Sequence, residues 1–506
     1  MKILIATLFA CILNLSILAQ DTLLLSPSYS FARTSISNTT VARSADRGFY
    51  VIQETAEKNS RLIITAFDRL AQQQNEREII IPKIDDQDID ITTFIERRDS
   101  LVVIGSYPDK EVDMKRAVAF TIAPNATESS TPYLLNSISR HISTIHGLTM
   151  SPDSSKYLSY FDLTSPRKDD HELTLRCFDP AFNLIWEKRL EMPYTGDLMQ
   201  VHEFFVDNEG HAFLLGGKNP EKKPTQQIYT QGGRYNVFYF DALQNRLKEY
   251  EISLKDKQVV SAKALINAQG EMIVAGYYSE DYSQSASGTF FFAIQANGGS
   301  IKTATYMTFS KDFLQTVLSE RQLDKGAEIA DIYLDHLVAI QENYYLIGEQ
   351  FYISERVNTD LTTGRTIIEK VYQSDDIFVT CVSDVGKIQW SRRIRKEQYT
   401  LNEYDQCGYN AFASSKGIRF IFNDHSENTQ LLTRDPKGNI ESWNGGRDAT
   451  IILVTCDLSG QITRQHIGDS HLIGGVMTRT LGQMDVRSAA ILGFTRNRNY
   501  RLGVVQ

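Results

Sequence analysis

Residues 377–390 read Ile377-Phe378-Val379-Thr380-Cys381-Val382-Ser383-Asp384-Val385-Gly386-Lys387-Ile388-Gln389-Trp390. An apolar run comes first, then a turn with Asp and Gly, then a run in which polar and apolar residues alternate. The apolar run is typical of a strand buried on both faces, and the alternating run is typical of a strand near an outer edge. The stretch therefore predicts one buried strand, a tight turn and one outer strand.

The same arrangement recurs along the chain. Residues 451–463 and 290–302 repeat the buried strand, the turn and the outer strand. An apolar strand that ends in Gly comes before it in several units, as in Ile273-Val274-Ala275-Gly276 and Tyr345-Leu346-Ile347-Gly348. A Gly at one fixed strand position indicates that neighbouring backbone approaches closely there.

Each unit therefore contains four predicted strands, and the units begin near residues 36, 90, 143, 200, 259, 333, 408 and 473. Self-similarity at a period of about 50 to 75 residues is typical of repeat folds. The sequence predicts an all-β protein, a β-propeller of about eight four-stranded blades, with seven as an alternative count.

The last unit is one strand short. Residues 500–505 supply its third strand, and the segment Asp21-Thr22-Leu23-Leu24-Leu25 near the other end can supply the fourth. Such pairing removes the exposed edges of a ring. We therefore expect strands from the two ends of the chain to close the propeller.

Three cysteines, Cys177, Cys381 and Cys456, occupy one repeat position in three different units. Equivalent positions in separate units lie too far apart for a disulfide, so we expect small buried side chains. Cys407 is unpaired by the same argument. Trp186 and Trp390 also share one position, on the predicted outer strand.

Two short motifs carry a resemblance to known propellers. The fragment 383–390 resembles the turn and outer strand of PQQ-type propeller repeats, and Ser151-Pro152-Asp153-Ser154 resembles a turn of TolB-like propellers. In the spacing of its predicted strands and turns, nearly the whole chain is similar to exported propeller-like proteins of Bacteroidetes. The resemblance implies the fold, and it implies neither a quinone site nor a catalytic residue.

The N-terminus has the pattern of a secretory signal peptide. Lys2 precedes an apolar run over residues 3–18, and Ala19 is followed by polar residues, which fits a cleavage site. We expect residues 1–19 to be the signal peptide and residues 20–506 to form a single propeller domain, exported to the periplasm or secreted, with no transmembrane segment. A retained anchor and lipidation at Cys11 are the alternatives.

Several function classes lack their sequence signals. The net charge is −9 and no basic cluster is interleaved with aromatics, so we expect no nucleic-acid partner. Asp86, Asp88 and Asp90 alternate like calcium ligands, but the loop lacks the required Gly and terminal acid. No zinc, nucleotide or nucleophile motif is visible, so we predict no metal, no cofactor and no catalytic residues.

Function in repeat proteins usually lies in the segments that depart from the repeat. Four do so here: 312–323 with helical spacing, 350–375 with a hairpin pattern, the polar segment 423–450, and a segment with three Tyr at 277–282. These segments supply five candidate binding residues, although the sequence signal for them is not specific: Trp443, Arg447, Tyr277, Tyr278 and Tyr282. For Trp443 the alternative is an indole folded over the rim of the core.

The sequence favours a non-catalytic binding or scaffold protein of the bacterial cell envelope, which would recognise a protein or a glycan through projecting loops. The alternative is an envelope hydrolase or lyase that acts on carbohydrate or peptide with acids at the central channel. A carboxyl group with a strongly perturbed pKa at the channel would favour the alternative.

Overall fold

The computed structural model describes residues 23–30, 36–43, 48–55, 61–97, 100–123, 128–139, 145–162, 170–196, 198–218, 234–280, 285–359, 366–402, 406–435, 438–445, 449–469, 476, 482–483, 489–494 and 499–505. Strands dominate this part of the chain, and three short helices accompany them. The strands form eight successive antiparallel sheets, numbered 1 to 8 here in chain order.

Sheets 1 to 4 each contain four strands that follow one another in sequence. Their strands are β3 (Ile36–Arg43), β4 (Phe49–Thr55), β5 (Arg61–Phe67) and β6 (Gln73–Ile80); β7 (Asp90–Glu96), β8 (Leu101–Asp109), β9 (Met114–Ile122) and β10 (Tyr133–Ser139); β11 (Ile145–Met150), β12 (Tyr157–Asp162), β13 (Asp170–Phe178) and β14 (Leu184–Thr195); and β15 (Met199–Val206), β16 (Ala212–Lys218), β17 (Arg234–Asp241) and β18 (Arg246–Ile252).

Sheets 5 to 8 keep this order and add short extra strands. Their strands are β19 (Gln258–Ile266), β20 (Met272–Ser279), β22 (Gly288–Ile294) and β23 (Ile301–Thr308); β25 (Ile332–Ile340), β26 (Asn343–Thr359), β27 (Thr366–Ser383) and β28 (Ile388–Ile394), with β29 (Gln398–Leu401) on β27; β30 (Asn410–Ser414), β31 (Gly417–His425), β32 (Ala449–Asp457) and β33 (Ile462–Asp469); and β34 (Gly482–Gln483), β35 (Ala489–Phe494), β36 (Asn499–Val505) and β1 (Leu23–Leu25), with β2 (Tyr29–Ser30) on β36.

The strand pair β21 (Ser285–Ala286) and β24 (Ile329–Ala330) forms a separate small sheet beside sheet 5. The helices are α1 (Lys311–Leu314), α2 (Glu320–Asp324) and α3 (Asn428–Arg434). The sequence predicts one helical segment over 312–323, and the structure contains two short helices, α1 and α2. Phe313 of α1 is buried in the core between sheets 5 and 6, so the segment covers that core.

The hydrophobic core is divided into clusters, and eight of them each join two successive sheets. In the cluster that closes the series, Val41 and Phe49 of sheet 1 pack against Leu502 and Val504 of sheet 8. First strands of neighbouring sheets also lie against each other, for example β19 against β25. The sheets therefore form a closed ring, and the predicted eight-bladed β-propeller is confirmed.

The ring closes through the predicted pairing of the two ends. Leu23, Leu24 and Leu25 pair with residues 503–505 of β36, which makes β1 the outer strand of sheet 8. Ser26 continues the register, because its N–H donates to the Leu502 carbonyl at 2.9 Å and its Oγ accepts from the Leu502 N–H at 3.0 Å.

The antiparallel order gives the ring two different faces. The turns between first and second strands and between third and fourth strands lie on one face, which we call the turn face. The connections from second to third strands, and from one sheet to the next, lie on the opposite face, which we call the loop face. Ser279 and His425 mark second-strand ends at the loop face. All four departures from the repeat are connections of this second kind, so they share one face.

Turns of the turn face share one side-chain device. Asp207 Oδ1 accepts from the N–H groups of Glu209 and His211 at 3.0 and 2.8 Å. Asp68, Asp179, Asn267 and Asp457 close their turns in the same way. The side-chain oxygen satisfies backbone donors that the turn leaves unpaired, which explains why Asp and Asn recur at these positions.

The recurring Gly of the second strand faces a bulge in the first strand. In sheet 5 the register shifts between Val259 and Ser261, and a Cβ on Gly276 would lie 1.9 Å from the Ser261 carbonyl oxygen. In sheet 6 a Cβ on Gly348 would lie 2.5 Å from the Tyr333 carbonyl oxygen. The expected close approach of backbone is therefore confirmed.

The repeat positions of Cys and Trp also match. Cys177 pairs with Trp186 across sheet 3, and Cys381 pairs with Trp390 across sheet 6. Each indole N–H donates to a backbone carbonyl of the next sheet, Gly210 at 2.9 Å and Leu458 at 3.2 Å. All four cysteines of the described chain are buried and unbridged, as predicted.

Candidate functional site at the loop face

Among the described residues, the longest projection from the loop face is the hairpin formed by the distal parts of β26 and β27. Cross-strand pairs run from Phe351↔Ser374 to Thr359↔Thr366, so the hairpin predicted for 350–375 is confirmed. Beyond Phe351, β26 extends for eight residues, a length of roughly 25 Å. Residues 360–365, between the two strands, lie outside the described residues.

A buried lysine holds the base of this hairpin. Lys396 is 1% exposed, and its Nζ lies 2.7 Å from Glu349 Oε1 and 2.7 Å from the Ser374 carbonyl oxygen. It also donates to Ser374 Oγ at 3.2 Å and to Gln398 Oε1 at 3.1 Å. Removal of one partner from such a buried pair typically costs about 3–5 kcal/mol, because a charge stays buried without compensation.

The network continues into sheets 7 and 8. Gln398 Nε2 donates to the Asn423 carbonyl at 2.6 Å, and its Oε1 accepts from the Gly408 N–H at 2.7 Å. The Asn423 amide exchanges hydrogen bonds with the backbone of Val476. Buried polar groups that are satisfied in this way fix one geometry, so the hairpin stands on a rigid base.

Trp443 belongs to this base and not to the outer surface. It is 2% exposed and packs with Cys407 and Ala449. Its backbone N–H donates to the Glu397 carbonyl, and its carbonyl accepts from the Tyr399 N–H, both at 2.9 Å. The structure therefore supports the alternative in which the indole folds over the core rim, since a buried ring offers no stacking surface.

The tyrosines singled out in the sequence are also interior. Tyr277 and Tyr278 are both fully buried. Their positions follow from strand alternation in β20, since one ring packs in the core towards sheet 6 and the other in the core towards sheet 4. The Tyr278 hydroxyl lies 2.9 Å from Thr308 Oγ1. Tyr282 and Arg447 lie outside the described residues.

The hairpin instead exposes aliphatic side chains. Ile353 is 54% exposed, Val357 61% and Ile368 60%. These three residues share one face, because Val357 pairs directly with Ile368 and Ile353 lies four residues before Val357. Clustered exposed apolar residues on a soluble protein mark an interaction surface more often than isolated ones.

An acid with an unusual environment lies on the first strand of sheet 6. Asp335 Oδ2 accepts a hydrogen bond of 2.8 Å from the Tyr409 hydroxyl, which links sheets 6 and 7. Burial and then the charge of Glu349 raise the pKa of Asp335 to about 7, against the lowering effect of Tyr409. The first strands surround the axis of the ring, so this carboxyl group belongs to the channel wall.

A second acid, Asp375, lies at the hairpin base. Its Oδ2 accepts from the Tyr352 hydroxyl at 3.1 Å. Burial raises the pKa of Asp375 to about 6, although this hydrogen bond lowers it. Burial therefore raises the pKa of two acids in the same region, and the positive charge of Lys396 acts against this rise in both.

Sequence reasoning missed Asp335, Glu349 and Lys396. One signal was present, because Glu349 follows the repeat Gly348 on a strand that is otherwise apolar. In sheet 7 the same position holds Asp424, which is fully buried and paired with Arg464. A charge at a buried repeat position indicates a buried ion pair, but its partner, distant in sequence, is not visible in the pattern.

In the part of the chain that the structure describes, no group of three His, Cys, Asp or Glu side chains is placed to hold a metal ion. Across the same residues, no helix has the length and apolar character needed to cross a bilayer.

Comparison with known proteins gives distant structural similarity. No family model matches the chain, and no curated protein matches it. Among solved structures, it is similar to the WD40 domain of SCAP from fission yeast, with 8% identity, a TM-score of 0.40, and coverage of 96% of this chain and 94% of that one.

Two further solved structures are similar to this chain at comparable sequence identity and TM-score. The β-propeller domain of the Trilobed protease from Pyrococcus furiosus has 10% identity and a TM-score of 0.37, with coverage of 87% and 96%. The periplasmic gluconolactonase PpgL from Pseudomonas aeruginosa has 12% identity and a TM-score of 0.35, with coverage of 75% and 98%. Similarity at this level carries no argument about function.

Proposed function

We propose that this chain is an exported, non-catalytic binding or scaffold protein of the bacterial cell envelope, which recognises a protein or a glycan through its loop face. One observation carries the proposal. The hairpin of β26 and β27 projects from a rigid polar base and exposes Ile353, Val357 and Ile368 to solvent. A rigid ring that presents one ordered projection suits recognition, since little conformational entropy is lost on binding.

The charge state of the base supports binding over catalysis. Glu349 is 4% exposed and paired with Lys396, and Asp376 is paired with Arg393 at 2.5 Å. Each acid is paired with a basic side chain inside the fold, so neither is placed to act on a bound molecule. They instead keep the hairpin in one position.

Export is part of the proposal, and it rests on the signal-peptide pattern of residues 1–19. These residues lie outside the described part of the chain. Cell fractionation would test the export of the protein, and N-terminal sequencing of the mature protein would locate the cleavage site. A mature N-terminus near residue 20 in a periplasmic or secreted fraction is expected, whereas a lipidated Cys11 at the N-terminus would contradict cleavage there.

The binding proposal is tested by affinity capture from envelope extract with matched variants. We expect the double variant Ile353→Lys and Val357→Lys to lose the captured component, because both charges fall on the exposed apolar face. Leu243→Lys is the control, since Leu243 is 87% exposed but lies on the turn face. Equal capture by all three proteins would contradict recognition through the hairpin. Protease treatment of the extract separates a protein ligand from a glycan.

One observation favours the alternative of an envelope hydrolase or lyase. Asp335 in the channel wall has a pKa of about 7, which suits a general acid. Its neighbour Glu349 is buried and paired, so it is not a free second carboxylate. Turnover of envelope polysaccharide or peptide by the wild type, abolished in Asp335→Asn, would establish this alternative and displace the binding proposal.

A further inference from the structure

We propose that the open edge of β26, residues 352–358, binds an extended segment of a partner protein that adds to the hairpin as a further β-strand. This inference rests on the proposed function, and it names the kind of partner. Strand addition uses backbone hydrogen bonds for affinity and alternate side chains for specificity. Three features of the hairpin support it: the direction of its backbone groups, the unequal state of its two edges, and the charge pattern along the open edge.

The backbone groups of β26 can be assigned to an inner and an outer side. The Phe351 N–H donates to the Asp331 carbonyl at 3.0 Å, away from β27. Since backbone groups alternate in direction along a strand, those of Ile353, Glu355 and Val357 point the same way. On that outward side, no strand of the described chain pairs with β26 beyond Phe351, and all three side chains are exposed.

The pairing on β27 gives the same assignment independently. Lys370 directs its backbone away from β26, because its N–H donates to Asn402 Oδ1 at 2.9 Å and its carbonyl accepts from the Asn402 N–H at 2.8 Å. Glu355 is paired with Lys370 across the hairpin. Opposite residues in this register both point outwards, so the N–H and C=O of Glu355 face solvent.

The two edges of the hairpin are in different states. The β27 edge is covered over residues 370–374, because β29 pairs with residues 371–374 and Asn402 caps Lys370, and only its distal residues 366–369 lack a paired strand in the described structure. The β26 edge beyond Phe351 has no such cover in the described structure. Proteins normally protect their edges against unwanted pairing, so one long open edge beside a covered one indicates a place for a partner strand.

The side chains along the open edge define the partner's sequence. Ile353, Glu355 and Val357 share one face, with the aliphatic residues on either side of the acid. A strand that pairs with this edge would place aliphatic residues opposite Ile353 and Val357 and a Lys or Arg opposite Glu355. The occupant is therefore an extended peptide with the pattern aliphatic, any residue, basic, any residue, aliphatic.

A second copy of the chain fits this edge less well. Two-fold antiparallel pairing centred on Glu355 places two Glu side chains opposite each other, and pairing centred on the next residue opposes two Arg356 side chains. The apolar face of the hairpin is also small, on the order of 200 Å² by strand dimensions, whereas a stable dimer buries about 800 Å² per partner. Charge and area thus both favour a peptide segment.

The experiment uses the full mature protein and two labelled seven-residue probes, Thr-Val-Thr-Lys-Thr-Val-Thr and the same peptide with Glu in place of Lys. Fluorescence anisotropy measures the dissociation constants. We expect the Lys probe to bind at least fivefold more tightly than the Glu probe. Glu355→Lys should reverse this preference, a result that a folding defect cannot produce.

A backbone variant tests the pairing itself. Glu355→Pro removes one outward N–H and leaves the hydrogen bonds with β27 in place, since proline is tolerated where the N–H faces solvent. We expect at least a tenfold loss of Lys-probe binding at an unchanged melting temperature. Ile367→Lys, on the other face of β27, is the control and should bind as the wild type does.

Three outcomes would overturn the inference. They are equal binding of both probes by the wild type, full binding by Glu355→Pro, and dimerisation in sedimentation that depends on Val357, which would assign the edge to a second copy. If the probes fail but hairpin-dependent capture from envelope extract persists, the proposed function stands and only strand addition is rejected.

Discussion

At the scale of single residues, the repeat Gly is set by its distance from the bulged first strand. The Cβ that substitution would add to Gly276 lies 1.9 Å from the Ser261 carbonyl oxygen, closer than any non-bonded contact. At the equivalent position of sheet 4, a Cβ on Gly216 would lie 3.4 Å from the Gln200 carbonyl oxygen, an ordinary contact. A side chain is therefore excluded at the Gly position of sheet 5, whereas the equivalent position of sheet 4 has room for a Cβ.

We predict that Gly276→Ala destabilises the protein strongly, because the strand pair must separate to admit the methyl group. The cost is on the order of 2–3 kcal/mol, in the upper range for overpacked sites. Gly216→Ala is the matched control, with an expected loss below about 1 kcal/mol. Thermal unfolding measures both, and equal melting temperatures for the two variants would contradict the role of the bulge.

How much of this the sequence could predict differs from residue to residue. Gly276, Cys381 and Trp390 were placed correctly, because each recurs at a fixed position in several units and the repeat reveals it. Trp443 and Tyr277 were singled out as departures from the repeat, yet both are buried. A composition rich in Tyr or Trp does not tell which side of a strand or loop each ring occupies.

At the scale of elements, the contact between sheets 6 and 7 depends on protonation. The Asp335 carboxyl on β25 accepts the hydrogen bond of Tyr409, which directly precedes β30. Glu349 faces Asp335 from β26, and Lys263 on β19 and Lys396 after β28 act on it with positive charge. The pKa of Asp335 is raised from 3.8 to about 7, so the folded state binds this proton more tightly than the unfolded state does.

We predict that the folded protein loses stability as the pH rises from 4 to 8, because ionisation leaves a buried negative charge on Asp335 beside Glu349. The stabilisation from a raised pKa is complete below the unfolded value and is lost as the pH passes the folded value. Asp335→Asn keeps an acceptor for Tyr409 without the charge, so it should gain on the order of 2 kcal/mol relative to the wild type between pH 5 and pH 8. Melting temperatures at the two pH values measure the difference.

The control for this prediction is Asp331→Asn, an exposed position near the start of the same strand. It should follow the wild type at both pH values. A constant fall in stability for Asp335→Asn and the wild type alike between pH 5 and pH 8 would show that Asp335 does not titrate with a folded pKa of about 7, which would contradict this prediction.

The elements of the loop face show why the site was less predictable than the fold. The hairpin at 350–375 was predicted because its two strands carry alternating patterns, and α1 and α2 follow the helical spacing of 312–323. The polar base of the hairpin was not predicted, because Lys396, Ser374 and Glu349 come into contact only when three separate segments of the chain pack together. Pair contacts between distant segments leave no local period in a single sequence.

At the scale of the whole molecule, the ring is completed by three residues from the start of the described chain. β1 pairs with β36, and Leu23 and Leu25 pack beside the core shared by sheets 7 and 8. Without β1, the outer edge of β36 would be unpaired over residues 503–505, although β2 would still pair with residues 499 and 500, and this core would be partly open. Closure therefore connects the stability of all eight sheets to a short segment.

We predict that a mature protein starting at residue 27 melts at a lower temperature than the full mature chain. A synthetic peptide of residues 20–26 added in trans should restore the melting temperature as its concentration rises, because it binds only the folded ring. The same peptide with Leu24→Pro should fail, since it lacks the N–H that faces β36. An unchanged melting temperature on truncation would contradict closure by β1.

The register of this closure also fixes how the ring responds to force. Leu23 is opposite Val505, so the two ends of the described chain leave the sheet side by side at the same end of the strand pair. A pull on the two ends would therefore load the hydrogen bonds one after another, as in a zipper, and would not shear them together. The pairing of β1 with β36, which stabilises the ring against thermal unfolding, would thus open under a low mechanical force.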